Sequence, residues 1–267
     1  MIKFSRGENN MNQASRLLII KQMLNEKDEL TTKDLAEYFK VSFDTVRRDV
    51  LRLASTGQAV RFHGGIMNNN LNDVPGYRTR SHVRSSVKAS MAAAAEKMVI
   101  PKRLYFIGAS TTLVLLCQLL NKKNITVITN SIDNALNLSQ NTLPRVELLG
   151  GQLDKGNRYT YSLETLTQLD SFTFDTIFVG TSRVCEEGIY VVDKDDAVIL
   201  KKAIMRSKRV VVIAEQYKFN SEQSSPYKLA DCFEIDVLIT DNKLSEAYRK
   251  WFKKTIEVKY IKVKEGE

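Results

Sequence analysis

The sequence predicts a two-domain chain: an α+β N-terminal winged helix-turn-helix, then an α/β domain built on a mostly parallel sheet. Three observations predict it. Residues 12–66 hold three short amphipathic stretches and a glycine-tipped extended segment, residues 67–77 are rich in Asn, Pro and Gly without periodicity, and from residue 104 short apolar β-rich runs alternate with helical stretches. The boundaries read as 11–67 for the first domain, with the helix-turn-helix at 31–50, then 68–80 for a linker and 81–260 for the second domain.

In the first domain Leu17, Leu18, Ile19, Ile20, Met23 and Leu24 fit a helix that ends in the polar stretch Asn25 to Glu29. Thr31, with Asp34 three residues on, is a capping signal for a second helix whose apolar stripe is Leu35, Ala36 and Phe39. After a break at Lys40-Val41, Ser42 is a good N-cap for a third helix. There Val46, Val50 and Leu53 recur at i, i+4 and i+7 to make one buried face, and Arg47, Arg48 and Arg52 fall elsewhere on the wheel. Gly57 stops this helix, and Ala59 to Phe62 starts an extended segment that turns at Gly64-Gly65.

In the second domain a helix with an alanine-rich face runs from about 83 to 98. The β-rich runs are Leu104–Ile107, Ile125–Thr129, Val146–Leu149, Thr176–Val179, Val210–Ala214 and Val237–Thr240, with helical stretches at Thr112–Leu120, Asp133–Leu138 and Ala197–Met205. Continuous apolar strands separated by helices predict a parallel sheet covered on both faces. Ligands of such sheets bind beyond the carboxyl ends of the strands. That rule points at Ile107–Thr112, Asn130-Ser131, Gly150-Gly151, Gly180–Arg183 and Glu215–Lys218.

Composition excludes several classes. At 267 residues the chain can bury one small and one medium core. No run approaches the roughly 18 apolar residues of a membrane span, and Met1 to Asn10 lacks the apolar stretch of a signal peptide. The chain therefore reads as cytoplasmic, with no membrane partner. Cys117, Cys185 and Cys232 form no C-x-x-C pair and predict buried free thiols. With His63 and His82 as the only histidines, neither a structural metal nor any other cofactor is expected. The net charge of +9 is concentrated. Arg78, Arg80, Arg84, Lys88, Lys97, Lys102 and Arg103 face the single acid Glu96 within residues 78–103, and Arg249, Lys250, Lys253 and Lys254 cluster near the C-terminus. Such clusters fit a nucleic-acid partner, contact between domains, or a plain solvated face.

Two short helices meeting at a tight turn, the second opening with polar and cationic side chains, suit the major groove of duplex DNA, where the first residues of a helix reach base edges. Ser42 and Thr45 can bond phosphates or bases, Arg47, Arg48 and Arg52 supply charge, and Arg61 and His63 on the glycine hairpin stand near the backbone or minor groove. The same residues also fit a surface helix whose arginines are solvated and partnered by Asp44 and Asp49, beside an ordinary turn.

The pattern Leu-Ala-x-x-Phe-x-Val-Ser-x-x-Thr-Val-Arg-Arg-Asp from Leu35 to Asp49, with Arg61-x-His63-Gly64-Gly65 at the matching distance, resembles the DeoR family of bacterial transcription regulators. The resemblance extends from about Met11 to Asp241. It implies a sequence-specific regulator, a repressor of a carbohydrate-metabolism operon, that binds double-stranded operator DNA as a homodimer or homotetramer. It also implies an effector domain similar to the ribose-5-phosphate isomerase fold and a phosphorylated sugar or related metabolite as effector. The effector-binding candidates are Ser110, Thr111, Thr112, Asn130, Ser131, Gly151, Arg183, Glu215 and Lys218. Hydroxyls and N–H groups opening the helix at Thr112 suit a phosphate, Lys218 adds a cation, and Asn130 can bond sugar hydroxyls. The bland alternative for Ser110 to Thr112 is a capped helix start with no ligand. The chain departs from the family pattern in four places: Ile107 stands where an aspartate is usual, Ala109 replaces a glycine, Ser182-Arg183 replaces an Asn-Gly pair, and Glu215 replaces an aspartate.

An isomerase-like enzyme is the alternative. It would need a carboxylate base such as Glu215 or Asp196 with Lys218 as the cation. The missing acid at Ile107 and the attached DNA-reading unit count against it, so no catalytic residue is assigned. No stacked aromatic surface supports RNA binding, and no G-x-x-x-x-G-K-[ST] loop supports phosphotransfer.

Overall fold

The computed structural model describes residues 11–27, 29–55, 59–62, 64–68, 86–219 and 225–261. The described residues divide into two compact units, 11–68 and 86–261.

The first unit contains α1 (Gln13–Lys27), β1 (Glu29–Thr31), α2 (Thr32–Phe39), α3 (Phe43–Ser55), β2 (Ala59–Phe62) and β3 (Gly65–Asn68). Thr31 caps α2 as its spacing predicts, its hydroxyl accepting the Asp34 N–H at 3.0 Å. Lys40 ends α2 in the left-handed conformation at φ 52°, its N–H bonded to the Ala36 carbonyl. Ser42 then accepts the Thr45 N–H at 3.2 Å and starts α3. Val46, Val50 and Leu53 face inward against Ile20, Leu24, Leu35 and Phe39, which is the expected stripe. The polar stretch after α1 holds a strand that periodicity did not reveal. Residues Glu29–Thr31 pair antiparallel with β3, which pairs with β2, in the order β1-β3-β2. Gly64, at φ +96°, sits between Phe62 and Gly65 where β2 turns into β3. Its carbonyl accepts both the N–H of Thr32 at 2.7 Å and the Thr32 hydroxyl at 3.0 Å, so the hairpin tip is tied to the start of α2.

The second unit is a seven-stranded parallel sheet covered on both faces. Its strands are β4 (Leu104–Ile107), β5 (Thr126–Thr129), β6 (Arg145–Leu148), β9 (Thr176–Gly180), β12 (Val210–Ile213), β14 (Val237–Thr240) and β15 (Glu257–Tyr260), in the order β15-β14-β12-β9-β4-β5-β6. Six of these were expected from apolar runs. The edge strand β15 was not, because Glu257-Val258-Lys259-Tyr260 is charged and partly exposed. The sheet's period of two divides its side chains between the two faces. Tyr105, Ile107, Phe178, Val211 and Ile213 meet α4 (Ser86–Glu96) and α5 (Thr111–Leu119) on one side. Phe106, Ile177, Val179 and Val212 meet α7 (Leu163–Leu169) and α8 (Lys194–Met205) on the other. Between β5 and β6 lies α6 (Ile132–Leu138).

Two small antiparallel elements are inserted among these. One is the hairpin β7 (Gln152–Asp154) and β8 (Tyr159–Tyr161), and the other is the sheet β10 (Arg183–Cys185), β11 (Gly188–Val191) and β13 (Tyr227–Ala230). Neither was legible from apolar runs, since most of these strands are three residues long. The three cysteines are buried and free, as their apolar contexts predict. Part of the C-terminal basic cluster is internal bonding: Lys253 pairs with Asp236 at 2.5 Å, and Arg249 donates to the Ile256 carbonyl at 3.2 Å. Among the described residues no helix is long and apolar enough to cross a membrane.

Candidate functional sites

On α3 the exposed side chains are Phe43, Asp44, Arg47, Arg48, Leu51 and Arg52, opposite the buried stripe. Asp49, which on sequence grounds could have partnered the arginines, points the other way. It is buried, accepts Arg16 Nε at 2.7 Å and Nη2 at 3.3 Å, and takes Gln13 Nε2 at 2.9 Å. The Arg16 guanidinium also donates to the Met11 carbonyl at 2.6 Å. This two-pronged ion pair clamps α3 to α1 and leaves Arg47 and Arg48 facing outward. Arg48 Nε donates back along its own helix, to the Asp44 carbonyl at 3.4 Å. Ser42 and Thr45 lie at the start of α3 with their hydroxyls 2.9 Å apart. The backbone of Arg61 is paired with Ile66 in the hairpin. His63, the linker residues 69–80, Arg78, Arg80, Arg84 and Gly57 lie outside the described residues.

The second unit holds a cleft of about 190 Å³ at the carboxyl ends of β4, β9 and β12. The strand order reverses there: from β4 the chain steps outward through β5 and β6, while from β9 it steps the opposite way through β12, β14 and β15. Such a switch point leaves a crevice because the flanking loops diverge to opposite faces. The Ser110 hydroxyl accepts the Thr112 N–H at 3.3 Å and opens α5 into the cleft. Gly180, at the end of β9, lies so close that a Cβ there would stand 2.7 Å from Ser110 Oγ. Gly180→Ala should therefore push Ser110 off its cap, costing about 1 kcal/mol of α5 stability and deforming the cleft. Denaturant unfolding of the variant, with its affinity for any cleft ligand, checks this.

Ser110, Thr111, Thr112 and Lys218 all line the cleft, together with residues that the strand-end rule did not supply: Lys88 from α4, Asn157 and Tyr159 from the β7–β8 hairpin, and Asp193 and Asp196 at the start of α8. Asp193 caps α8, its carboxylate accepting the Asp195 and Asp196 N–H groups. The same carboxylate accepts the Tyr159 hydroxyl and, at 3.5 Å, Asn157 Nδ2, so it latches the hairpin to α8. Burial and the neighbouring Asp193 carboxylate raise the Tyr159 pKa, keeping its hydroxyl a neutral donor. A bidentate pair between Arg158 and Asp133, both bonds 2.7 Å, fixes the hairpin from the other side. The Asp193 cap was a visible signal, Asp followed by Asp195 and Asp196 before an apolar helix. Nothing local marked Asn157 or Tyr159.

The remaining candidates do not line the cleft. Asn130 is fully buried behind its wall and donates to Asp196 Oδ1 at 3.0 Å. Ser131 caps α6 by accepting the Asn134 N–H at 3.3 Å. Gly151, at φ +119°, has a packing reason to be glycine, since a Cβ would stand 2.3 Å from the Tyr161 carbonyl oxygen. Arg183 lies over the Tyr190 ring, 5.5 Å from its centroid. Glu215 precedes a single 3-10 turn, Gln216–Lys218, without capping it. Ile107 is fully buried in the core, and its carbonyl accepts Thr129 Oγ1 at 2.6 Å. Of the two acids weighed for isomerase chemistry, Asp196 borders the cleft and Glu215 does not.

Comparison with known proteins places both units. Residues 16–71 match the DeoR-like helix-turn-helix domain and residues 83–242 the DeoR C terminal sensor domain. The chain is 31% identical over 239 residues to the HTH-type transcriptional repressor GlcR of Bacillus subtilis (strain 168), covering 89% of this chain and 92% of that one. It is 28% identical over 253 residues to the lactose phosphotransferase system repressor of Streptococcus mutans, covering 92% and 98%. Among solved structures, ribose 5 phosphate isomerase A from Neisseria gonorrhoeae shows a partial likeness, with 16% identity, a TM-score of 0.38, and coverage of 53% of this chain and 55% of that one. With both of its units matched and a repressor aligned along nearly its full length, this chain belongs to the DeoR family, as a helix-turn-helix transcription regulator with a sensor domain rather than an enzyme.

Proposed function

We propose that the chain represses a carbohydrate-metabolism operon by seating α3 in the major groove of its operator, and that a phosphorylated sugar bound in the cleft controls it. The observation that carries this is the outward placement of Arg47 and Arg48 on α3, with Asp49 held inward by Arg16. The relatives named above are repressors, one of them of a lactose phosphotransferase system, which supports a carbohydrate operon as target. In this reading residues 11–67 bind DNA, 68–80 link, and 81–260 sense the effector and oligomerise in the cytoplasm. A homodimer or homotetramer sets two reading helices about 34 Å apart, so the operator is repeated or palindromic. Arg47, Arg48 and Arg52 contact bases and phosphates, Ser42 and Thr45 contact phosphate, and Arg61 and His63 reach the backbone or minor groove.

The cleft is lined by both cations and carboxylates. Lys88, Lys218 and the N–H groups opening α5 suit a phosphate, and the Asp193 and Asp196 carboxylates suit sugar hydroxyls. Asn130 acts through Asp196, and Ser131, Gly151, Arg183 and Glu215 shape the surroundings. Effector binding changes operator affinity by favouring one of two arrangements of the reading helices. The test is operator binding titrated with a panel of pentose and hexose phosphates. Wild type should respond to at least one of them. Lys218→Ala should lose that response and keep the operator affinity of the ligand-free protein. A normal response in Lys218→Ala removes that lysine from the site, and no response of the wild type to any phosphate rejects the effector class.

A further inference from the structure

We infer that Phe43 reads a thymine methyl in the operator, a step that rests on α3 being the DNA-contacting helix and goes on to name a base. Phe43 is the first residue of α3 after the Ser42 cap, yet the residue is 61% exposed. The core of the small unit does not use it, because Val46, Val50 and Leu53 already form the buried stripe of α3. At i+4 and i+8 stand Arg47 and Leu51, both exposed, so ring, guanidinium and leucine make one row along the outer face. Asp44, Arg48 and Arg52 make the adjoining row.

An apolar side chain one turn before Arg47, on a helix face that also carries Arg48 and Arg52 beside the single acid Asp44, fits an occupant with anionic rims and an apolar group at its floor. The major groove has this shape: phosphates line both walls, and thymine alone presents a methyl group at the base edges. The first residues of a reading helix are those that reach these edges. A second copy of the chain fits less well, since covering Phe43 would bring Arg47, Arg48 and Arg52 of one copy against the same charges of the other.

The test uses the full-length protein and an operator selected from a random duplex pool. Each thymine of one half-site is replaced singly by deoxyuridine, which removes only the methyl. At one position the wild type should lose affinity roughly fourfold, the worth of one buried methyl. Phe43→Ala should bind the unmodified operator more weakly and no longer distinguish thymine from deoxyuridine there, while Phe43→Leu keeps part of the preference. The ring is exposed, so thermal unfolding of both variants should match wild type. Tight, specific binding with a flat deoxyuridine scan overturns the assignment and leaves α3 in place, as does a thymine preference that survives in Phe43→Ala. A wild type without any sequence preference overturns the reading of α3 as well. Reduced self-association of Phe43→Ala with a flat scan gives the ring to a protein contact and also overturns the proposal.

Discussion

Arg16→Ala should lower the local opening free energy of α1 and α3 by about 3–5 kcal/mol, because it leaves the Asp49 carboxylate buried without its cation. The side chains of the pair are 11% and 1% exposed, so water cannot take over the lost bonds. Amide hydrogen exchange in the full chain checks it: protection in α1 and α3 should fall by roughly two to four decades while the sheet of the second unit keeps its own. The companion variant Arg16→Met with Asp49→Leu removes both charges and should recover most of the loss, since a buried ion pair and an apolar pair of similar volume are often close in stability. Equal exchange in wild type and Arg16→Ala would mean the clamp contributes nothing. Operator affinity should follow the same order, although neither residue is on the exposed face of α3, because the clamp holds α3 against α1.

Arg47→Ala with Arg48→Ala has the second large effect, on binding rather than folding. Each lost base contact is worth about 1–3 kcal/mol, and each lost phosphate contact reduces the salt dependence of binding by about one ion. Affinity of the double variant for a selected operator should therefore fall by at least tenfold, measured against unrelated duplex at the same salt. The two single variants divide the roles. The one reading a base relaxes sequence preference at one position, and the one gripping phosphate weakens all duplexes alike. Both arginines are exposed, so unfolding of the variants should stay within about 0.5 kcal/mol of wild type. Unchanged operator affinity in the double variant would remove α3 from the interface.

Much of this architecture was legible because its signals are local. The Thr31 and Ser42 caps, the i, i+4, i+7 stripe of α3 and six apolar strand runs each lie within a few residues of chain, and each is found where its spacing put it. The strand-end rule located Ser110, Thr111, Thr112 and Lys218 at the cleft for the same reason, since each directly follows a recognisable strand or opens a recognisable helix. What escaped were elements too short or too polar to show a period: β1, the β7–β8 hairpin, the β10–β11–β13 sheet and the charged edge strand β15. With the hairpin went Asn157 and Tyr159, whose place at the cleft depends on a latch to Asp193 more than thirty residues further along the chain.

By itself the sequence determined the kinds of domain, the family pattern, and which face of each helix is apolar, because amphipathic period and capping depend on neighbours within one or two turns. Only the tertiary structure decided where charges find partners. It turned Asp49 from a possible mate of the outer arginines into the inward anchor of Arg16, 33 residues away, and it set Asn130 behind Asp196 instead of in the cleft. A carboxylate in either case goes to whichever donor the fold brings within about 3 Å, and no sequence spacing encodes that distance.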